Sequence, residues 1–290
     1  MQSKKLTFFS HLFFVLICII SFVPIFITVM LSISNETDII NYGYKVIPLH
    51  VDFSAYKLIF SDFSSVAKAT GISLLSSFAG PALMVLLCGS IGYALSQPVF
   101  RPRKYIMYFI LVTMLFSGGL IPSYIINTQY LGLGNNIMVH VVLGLVSGWN
   151  IILFKTFFSQ IPASLIEAAN IDGASQSRIL VSVVIPMSKS IVASLFFMSV
   201  LGRWNDYTTS LYYISDKSLY NLQYFLQKAL QEASFLKETY ANNPAFSNGD
   251  LPLETLKFAL AIVSCIPVLI SFPYMQKYFS KGMAVGAVKE

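Results

Sequence analysis

Charge is what this chain has least of. Only 11% of its 290 residues are Asp, Glu, Lys or Arg, against 56% hydrophobic, and uncharged runs of about 20 residues or more recur. That balance excludes a soluble globular domain and places the chain in the membrane class. Cysteine is scarce too. Cys18, Cys88 and Cys265 lie inside apolar runs, with neither a disulfide framework nor metal-ligand spacing. His11, His50 and His140 are scattered singly and read as structural or interfacial residues. No metal and no cofactor is expected. Phosphate-binding GxxxxGKS or GxxxxGKT, HExxH and GxSxG motifs are all missing, so neither nucleotide hydrolysis nor hydrolase chemistry has residues to carry it. The chain reads as a non-enzyme. Buried ionisable groups of the kind that couple transport to an ion gradient are missing from every apolar run but one. The exception holds Arg203 and Asp206, three residues apart, for which an ion pair at the membrane rim is the simplest reading.

What is present is a series of apolar runs. Residues 1–11 carry Lys4 and Lys5, and 12–33 form a first span, retained because no small-residue cleavage site follows it, and kinked or loosened at Pro24. Residues 34–70, with Asp38, Asp52 and Asp62, read as an extracytoplasmic loop ending in a short interfacial helix. Span two runs from about Gly71 to Leu95, followed at once by Arg101, Arg103 and Lys104. Tyr105 to Phe154 holds no charge and suits two spans, 105–126 and 137–154, joined by a turn at 127–136. Ser117, Gly118, Gly119 and Pro122 interrupt the first of these, a break tolerated at membrane depth only where protein or a water-filled cavity covers the freed backbone. Gly144 and Gly148 form a weak GxxxG, read as close packing. Span five runs from about Ile191 into RWNDYTTSLYY. Ser215 to Lys257 is polar and aromatic, and span six covers 258–274, leaving 277–290 as a tail.

Six spans put both ends on one side. On that side stand Lys4, Lys5, Arg101, Arg103, Lys104, Lys155, Arg178, Lys189, Lys277, Lys281 and Lys289, but of the acids only Glu167, Asp172 and Glu290. Excess Lys and Arg mark cytoplasmic loops, so both termini are expected in the cytoplasm, and the net charge of +6 needs no nucleic acid to explain it. No internal repeat is evident, so any pseudo-symmetry must come from a second subunit.

The longest cytoplasmic connection on this reading, Pro162 to Pro186, is too well punctuated for a linker. Pro162 suits a first helical position, and Ser164 to Ala169 are mostly good helix formers. Asp172 and Gly173 stop that helix, Ser175 can cap a second running to Val184, and Pro186 limits it. A short capped helix with Ala168 and Ala169 beside Glu167 is suited to seat in the groove of a soluble partner.

Glu167, Ala168, Ala169, Gly173, Val183, Ile185 and Pro186 resemble the EAA loop of the permease subunits of binding-protein-dependent ABC importers: EAA, three residues, G, nine residues, I, one residue, LP. Val183 for Ile and Ile185 for Leu are the departures. SGGLIPSY at 117–124, NIDGAS at 170–175, RWNDY at 203–207 and the tail YFSKGMAVGAV are similar to the MalG-like sugar permeases, and within them to the LplC/YtcP-like ones for complex oligosaccharides. The resemblance implies an all-α membrane protein of six transmembrane helices with the type I (MetI-like) permease fold, whose core is 71–276 with a cytoplasmic EAA coupling helix. It also implies a second related permease, an ABC ATPase dimer on the cytoplasmic face, an extracellular sugar-binding lipoprotein, a carbohydrate substrate and a bacterial plasma membrane. Carried over, Glu167, Ala168, Ala169, Gly173 and Pro186 couple to the ATPase. Tyr124, Asn127, Trp204, Asn205 and Tyr207 are candidates for the substrate pathway, since aromatic faces and hydrogen-bonding groups grip sugars; for Trp204 and Tyr207 an interfacial aromatic belt is the competing reading. Tyr220, Tyr224 and Phe225 are placed by position on the binding-protein side. A peptide or polyamine permease, an ion-coupled carrier and a non-transporting assembly protein stay open as alternatives.

Overall fold

A computed structural model describes the backbone of residues 4–241 and 252–287, with side chains for 9–236, 252–271 and 273. The side chains of Lys4, Lys5 and the tail residues from 277 onward, and residues 242–251 of the long polar segment, lie outside the described residues. In chain order the helices are α1 (Lys4–Ser32), α2 (Glu36–Tyr42), α3 (Ser54–Ile59), α4 (Phe63–Ser96), α5 (Arg103–Leu115), α6 (Leu120–Ile125), α7 (Val139–Val142), α8 (Gly148–Phe158), α9 (Ala163–Ile171), α10 (Gln176–Ile179), α11 (Ile185–Met187), α12 (Lys189–Trp204), α13 (Thr208–Tyr213), α14 (Leu222–Ala241) and α15 (Leu253–Ala287). Single π-turns follow α6 and α10, and a 3-10 turn covers Lys217–Leu219.

Among the described residues three helices are long and apolar enough to cross a membrane: Phe9–Ser32, Phe63–Ser96 and Leu253–Ser271. Three further pairs qualify only when joined across a bend: Arg103–Leu115 with Leu120–Tyr130 at 114°, Gly148–Phe158 with Ala163–Ile171 at 83°, and Gln176–Met187 with Lys189–Trp204 at 88°. The expected straight third span is thus a helix that turns sharply after Leu115. The cause lies in Ser117-Gly118-Gly119, where Gly119 takes φ +83°. Span four is shorter than expected in one piece: α7 stops at Leu143, and α8 begins only at Gly148. Gly144, with φ +69°, lies in that gap, so the GxxxG does not form one helical face. At Pro24, where a kinked or loosened helix is expected, α1 continues without a break, and the Thr28 hydroxyl donates to the Pro24 carbonyl at 2.8 Å.

The chain divides into two units, Met1–Val66 with Phe225–Pro267, and Ala67–Tyr224 with Val268–Glu290. In the first, α2 and α3 replace the expected loop with its one interfacial helix, and an antiparallel bridge between Ser34 and Val51 ties their flanks together. Leu31, Ile39, Ala55, Ile59, Leu256 and Ala259 are buried there. Glu36 is buried as well, and it is satisfied: its carboxylate accepts from Glu254 N at 2.9 Å, Thr255 N at 3.0 Å and Thr255 Oγ1 at 3.1 Å. A residue 218 positions away therefore caps the first turn of α15, where free N–H groups and the helix dipole favour an anion. Tyr44 donates to Glu254 at 2.8 Å, and that bond holds the phenol above its ordinary pKa.

The second unit is centred on Phe154, Phe158, Met84, Cys88, Ile151, Ile179 and Val184. A Cβ on Gly92 of α4 would stand 2.6 Å from the Phe154 Cβ, so a side chain there would push α4 away from α8. In lipid such close packing, rather than exclusion of water, holds helices together.

Candidate functional site

The stretch 162–187 folds as two helical pieces around a glycine turn. Pro162 is the N-cap rather than the first helical residue, α9 ends at Ile171, and Gly173 at φ +76° reverses the chain in a conformation that a Cβ disfavours. Ser175 caps α10, its hydroxyl accepting from Arg178 N at 3.4 Å. Pro186 does not end the helix. The chain passes through a π-turn at Leu180–Val184, and Ile185 N donates to the Leu180 carbonyl, five residues back. The widened turn accommodates the proline, and the helix stops at Ser188.

The two faces of α9 differ. Ile166 and Ala169 are half-buried against the core of the second unit, whereas Leu165, Glu167, Ala168 and Ile171 are exposed, Ile171 at 86%. An acidic, apolar face is thus left free on a helix whose back is seated. Its seating includes residues that motif reading missed. The hydroxyl of Tyr93, buried on α4, donates to Gln176 Oε1 at 2.8 Å, and Gln176 Nε2 donates to Asn170 Oδ1 at 2.8 Å. Asn170 belongs to the NIDGAS segment and Gln176 follows it by one residue, but nothing in their order points to Tyr93.

Around RWNDY the expected ion pair is not formed. Arg203 instead donates from Nη1 to the His140 carbonyl at 2.7 Å and from Nη2 to the Leu143 carbonyl at 2.8 Å. These are carbonyls left without helical donors where α7 stops, so the guanidinium closes the gap in span four. Gly80 of α4 makes room for it, since a Cβ there would overlap the guanidinium. Asp206 turns the other way and caps α13: it accepts from Thr208 N at 2.9 Å, Thr208 Oγ1 at 2.6 Å, Thr209 N at 3.2 Å and the Thr209 hydroxyl. Its own carbonyl takes the Asn221 amide, and Leu222 N, at the head of α14, donates to Ser73 Oγ on α4 at 2.8 Å.

The five pathway candidates do not share one site. Asn205 and Tyr207 line a cavity of about 440 Å³ together with Arg203, Asp206, Ser199 and Thr208. Trp204 is 3% exposed, outside that lining, which fits neither a sugar-facing ring nor a membrane belt. Tyr124 and Asn127 gather instead on Tyr213, the rings of Tyr124 and Tyr213 lying 5.5 Å apart and Asn127 Nδ2 donating to the Tyr213 hydroxyl at 3.3 Å. Tyr220 is buried against Tyr224 at 4.6 Å between ring centroids, an interior contact rather than a docking aromatic.

Among the described residues the chain is helical, and its long apolar helices, bent helix pairs and capped helix–glycine–helix connection are those of a multi-pass membrane protein. The sequence comparison fixes the family: residues 87–285 match the binding-protein-dependent transport system inner membrane component, and the chain belongs to that family of ABC transporter permeases. Among curated relatives, the polygalacturonan/rhamnogalacturonan transport system permease protein YtcP of Bacillus subtilis is 30% identical, over 96% of this chain and 95% of its own length. Protein LplC of the same organism is 28% identical over 93% and 90%. Among solved structures, a chain from a bacterial ABC transporter involved in the import of the acidic polysaccharide alginate superposes with a TM-score of 0.80 at 28% identity, covering 96% of this chain and 99% of that one. The MetI-like fold and the plasma membrane follow from these likenesses.

Proposed function

We propose that this chain is the permease subunit of an ATP-driven, binding-protein-dependent importer of a carbohydrate, an oligosaccharide, and forms half of its translocation pathway. The observation that carries the reading is α9: a helix seated by Ile166 and Ala169, presenting Glu167, Ala168 and Leu165 outward, closed by Gly173, joined to α8 by a short turn and to α12 through α10, the π-turn and α11. A rigid short helix fixed at both ends passes a partner's rigid-body movement into the membrane helices. Glu167, Ala168, Ala169 and Gly173 then form the coupling element toward an ABC ATPase dimer, with Pro186 marking its far end. On this reading the ATPase activity belongs to that partner. A second related permease supplies the other half of the pathway, and an extracellular sugar-binding lipoprotein delivers substrate. The names of YtcP and of the alginate importer support an oligosaccharide cargo. Asn205 and Tyr207, in the cavity beside Arg203, are the better placed pathway residues.

The same reading gives six spans, α1, α4, α5 with α6, α7 with α8, α12 and α15, with the permease core at 71–276, α9 to α11 in the cytoplasmic coupling loop at 162–186 and both termini in the cytoplasm. Glu167→Lys or Gly173→Pro should leave membrane insertion intact while ATP turnover no longer drives uptake in the reconstituted complex. Normal uptake by either variant would overturn the coupling assignment. Titrating the cognate extracellular binding protein with oligosaccharides, peptides and polyamines tests the cargo, and tight binding of a peptide or a polyamine alone would replace the carbohydrate.

A further inference from the structure

At one end of α4, α5 and α8 a recess of about 360 Å³ is walled by Leu95, Arg103, Lys104, Met107, Tyr108 and Lys155. Three cations from two helices border one space. Among the described residues none of the three side chains is engaged by a carboxylate or any other hydrogen-bond acceptor. Arg103 and Lys104 also stand in the first turn of α5, where the helix dipole opposes positive charge, so the local potential is raised rather than relieved. Beyond the cations the wall becomes apolar. Leu95 is buried at the floor, and Tyr108, Val112 and Leu115 continue along an exposed side of α5 at helical spacing. Cationic groups at the mouth and an apolar strip running away from them match an amphiphile with an anionic head.

We propose that this recess holds the phosphate of an anionic phospholipid, with Arg103, Lys104 and Lys155 around the headgroup and an acyl chain along Tyr108, Val112 and Leu115. The assignment to the cytoplasmic leaflet rests on the orientation given under Proposed function; the charge and shape of the recess do not. Basic pockets between membrane helices at that level bind lipid headgroups by the same electrostatics. A free phosphate would satisfy the cations and leave the apolar strip unused, which favours the lipid.

The test uses the assembled transporter in nanodiscs of phosphatidylcholine with phosphatidylglycerol, reading by native mass spectrometry which lipid stays bound. Phosphatidylglycerol should be retained in preference to phosphatidylcholine. Lys104→Gln and Lys155→Gln should each lower that preference about fivefold, the value expected for one basic residue near an anionic surface. Arg101→Gln, exposed and outside the lining, should leave it nearly unchanged. Equal retention of the two lipids, or an Arg101 variant as damaging as the Lys155 one, would overturn the site. So would inorganic phosphate binding the detergent-solubilised transporter as well as phosphatidylglycerol does, or a preference that appears only once the ATPase is removed. Uptake separates the two readings: a transporter that imports sugar without lipid preference sinks the lipid site alone, and labelling of the Lys104→Cys variant by a thiol reagent from outside the cell sinks the orientation alone.

Discussion

Between Ala163 and Met187 each change of direction is set by residues close in sequence, whereas the joint around Arg203 is made by residues far apart in it. Gly173 turns the first region, Ser175 caps it, and the π-turn before Pro186 absorbs the missing donor. In the second, Arg203 on α12 supplies donors to carbonyls 63 and 60 positions earlier, and Gly80 on α4 provides the space. The first is local stereochemistry and the second is mutual fit among three helices. They should therefore fail differently. Damage to the first should uncouple a folded protein, and damage to the second should unfold it.

Arg203→Leu offers the largest effect and the sharpest test of that contrast. It removes two charge-assisted hydrogen bonds and leaves the His140 and Leu143 carbonyls facing an apolar side chain, a loss of about 3–5 kcal/mol. Thermal unfolding of the purified protein should shift down strongly, and expression should fall with it. Gly80→Val should act in the same direction by displacing the guanidinium without changing any charge. An Arg203→Leu variant that melts like the parent but transports poorly would make Arg203 a pathway residue and dissolve the distinction.

This contrast also explains how much could be read beforehand. The turn at Gly173 and the cap at Ser175 were legible because capping and glycine signals act within one or two turns, whereas the expected end at Pro186 gave way to a π-turn that carries the helix on to Met187; the break after Leu115 was legible from Ser117-Gly118-Gly119. The joint was not. Spacing alone suggested that Arg203 and Asp206 pair with each other, since three residues apart is one helical face, but α12 ends at Trp204 and carries the two side chains in different directions. Which carbonyl a guanidinium will reach depends on where α7 happens to stop. Likewise, α14 was missed because its polar, aromatic sequence lacks the apolar run that marks a span, although its head is pinned by Ser73 and Asn221.

Glu36 extends the comparison to the other unit of the chain, as a second long-range joint, made to backbone N–H groups and a hydroxyl. Glu36→Ala strips the acceptors from Glu254 N, Thr255 N and the Thr255 hydroxyl at the start of α15. The expected loss is about 1–3 kcal/mol, smaller than for Arg203 because water can reach some of the released groups. Glu36→Gln keeps one acceptor oxygen and should recover part of it. Hydrogen exchange localised to the first turn of α15 is the measurement, and unchanged protection there in the alanine variant would show that Glu36 does not hold the helix.

The smallest effect on stability is expected where the two kinds of construction meet, in the chain of bonds from Tyr93 through Gln176 to Asn170. It joins a membrane helix to the capped element by two neutral hydrogen bonds of 2.8 Å, one of them exposed, so Tyr93→Phe should cost about 1 kcal/mol or less. Its effect on function should be out of proportion to that. If α9 moves with the ATPase and α4 is to follow, a joint between them must carry the displacement, and the Tyr93 hydroxyl and the Gln176 amide provide one that packing alone would not direct. Tyr93→Phe and Gln176→Leu should therefore raise the ATP hydrolysed per sugar imported while leaving melting within a few degrees of the parent. Gln176→Glu, which keeps an acceptor for the Tyr93 hydroxyl but loses the donor to Asn170, should fall between them. Parent-like stoichiometry in both Tyr93→Phe and Gln176→Leu would mean that movement passes through the Ile166 and Ala169 contacts instead, and that the local element alone suffices.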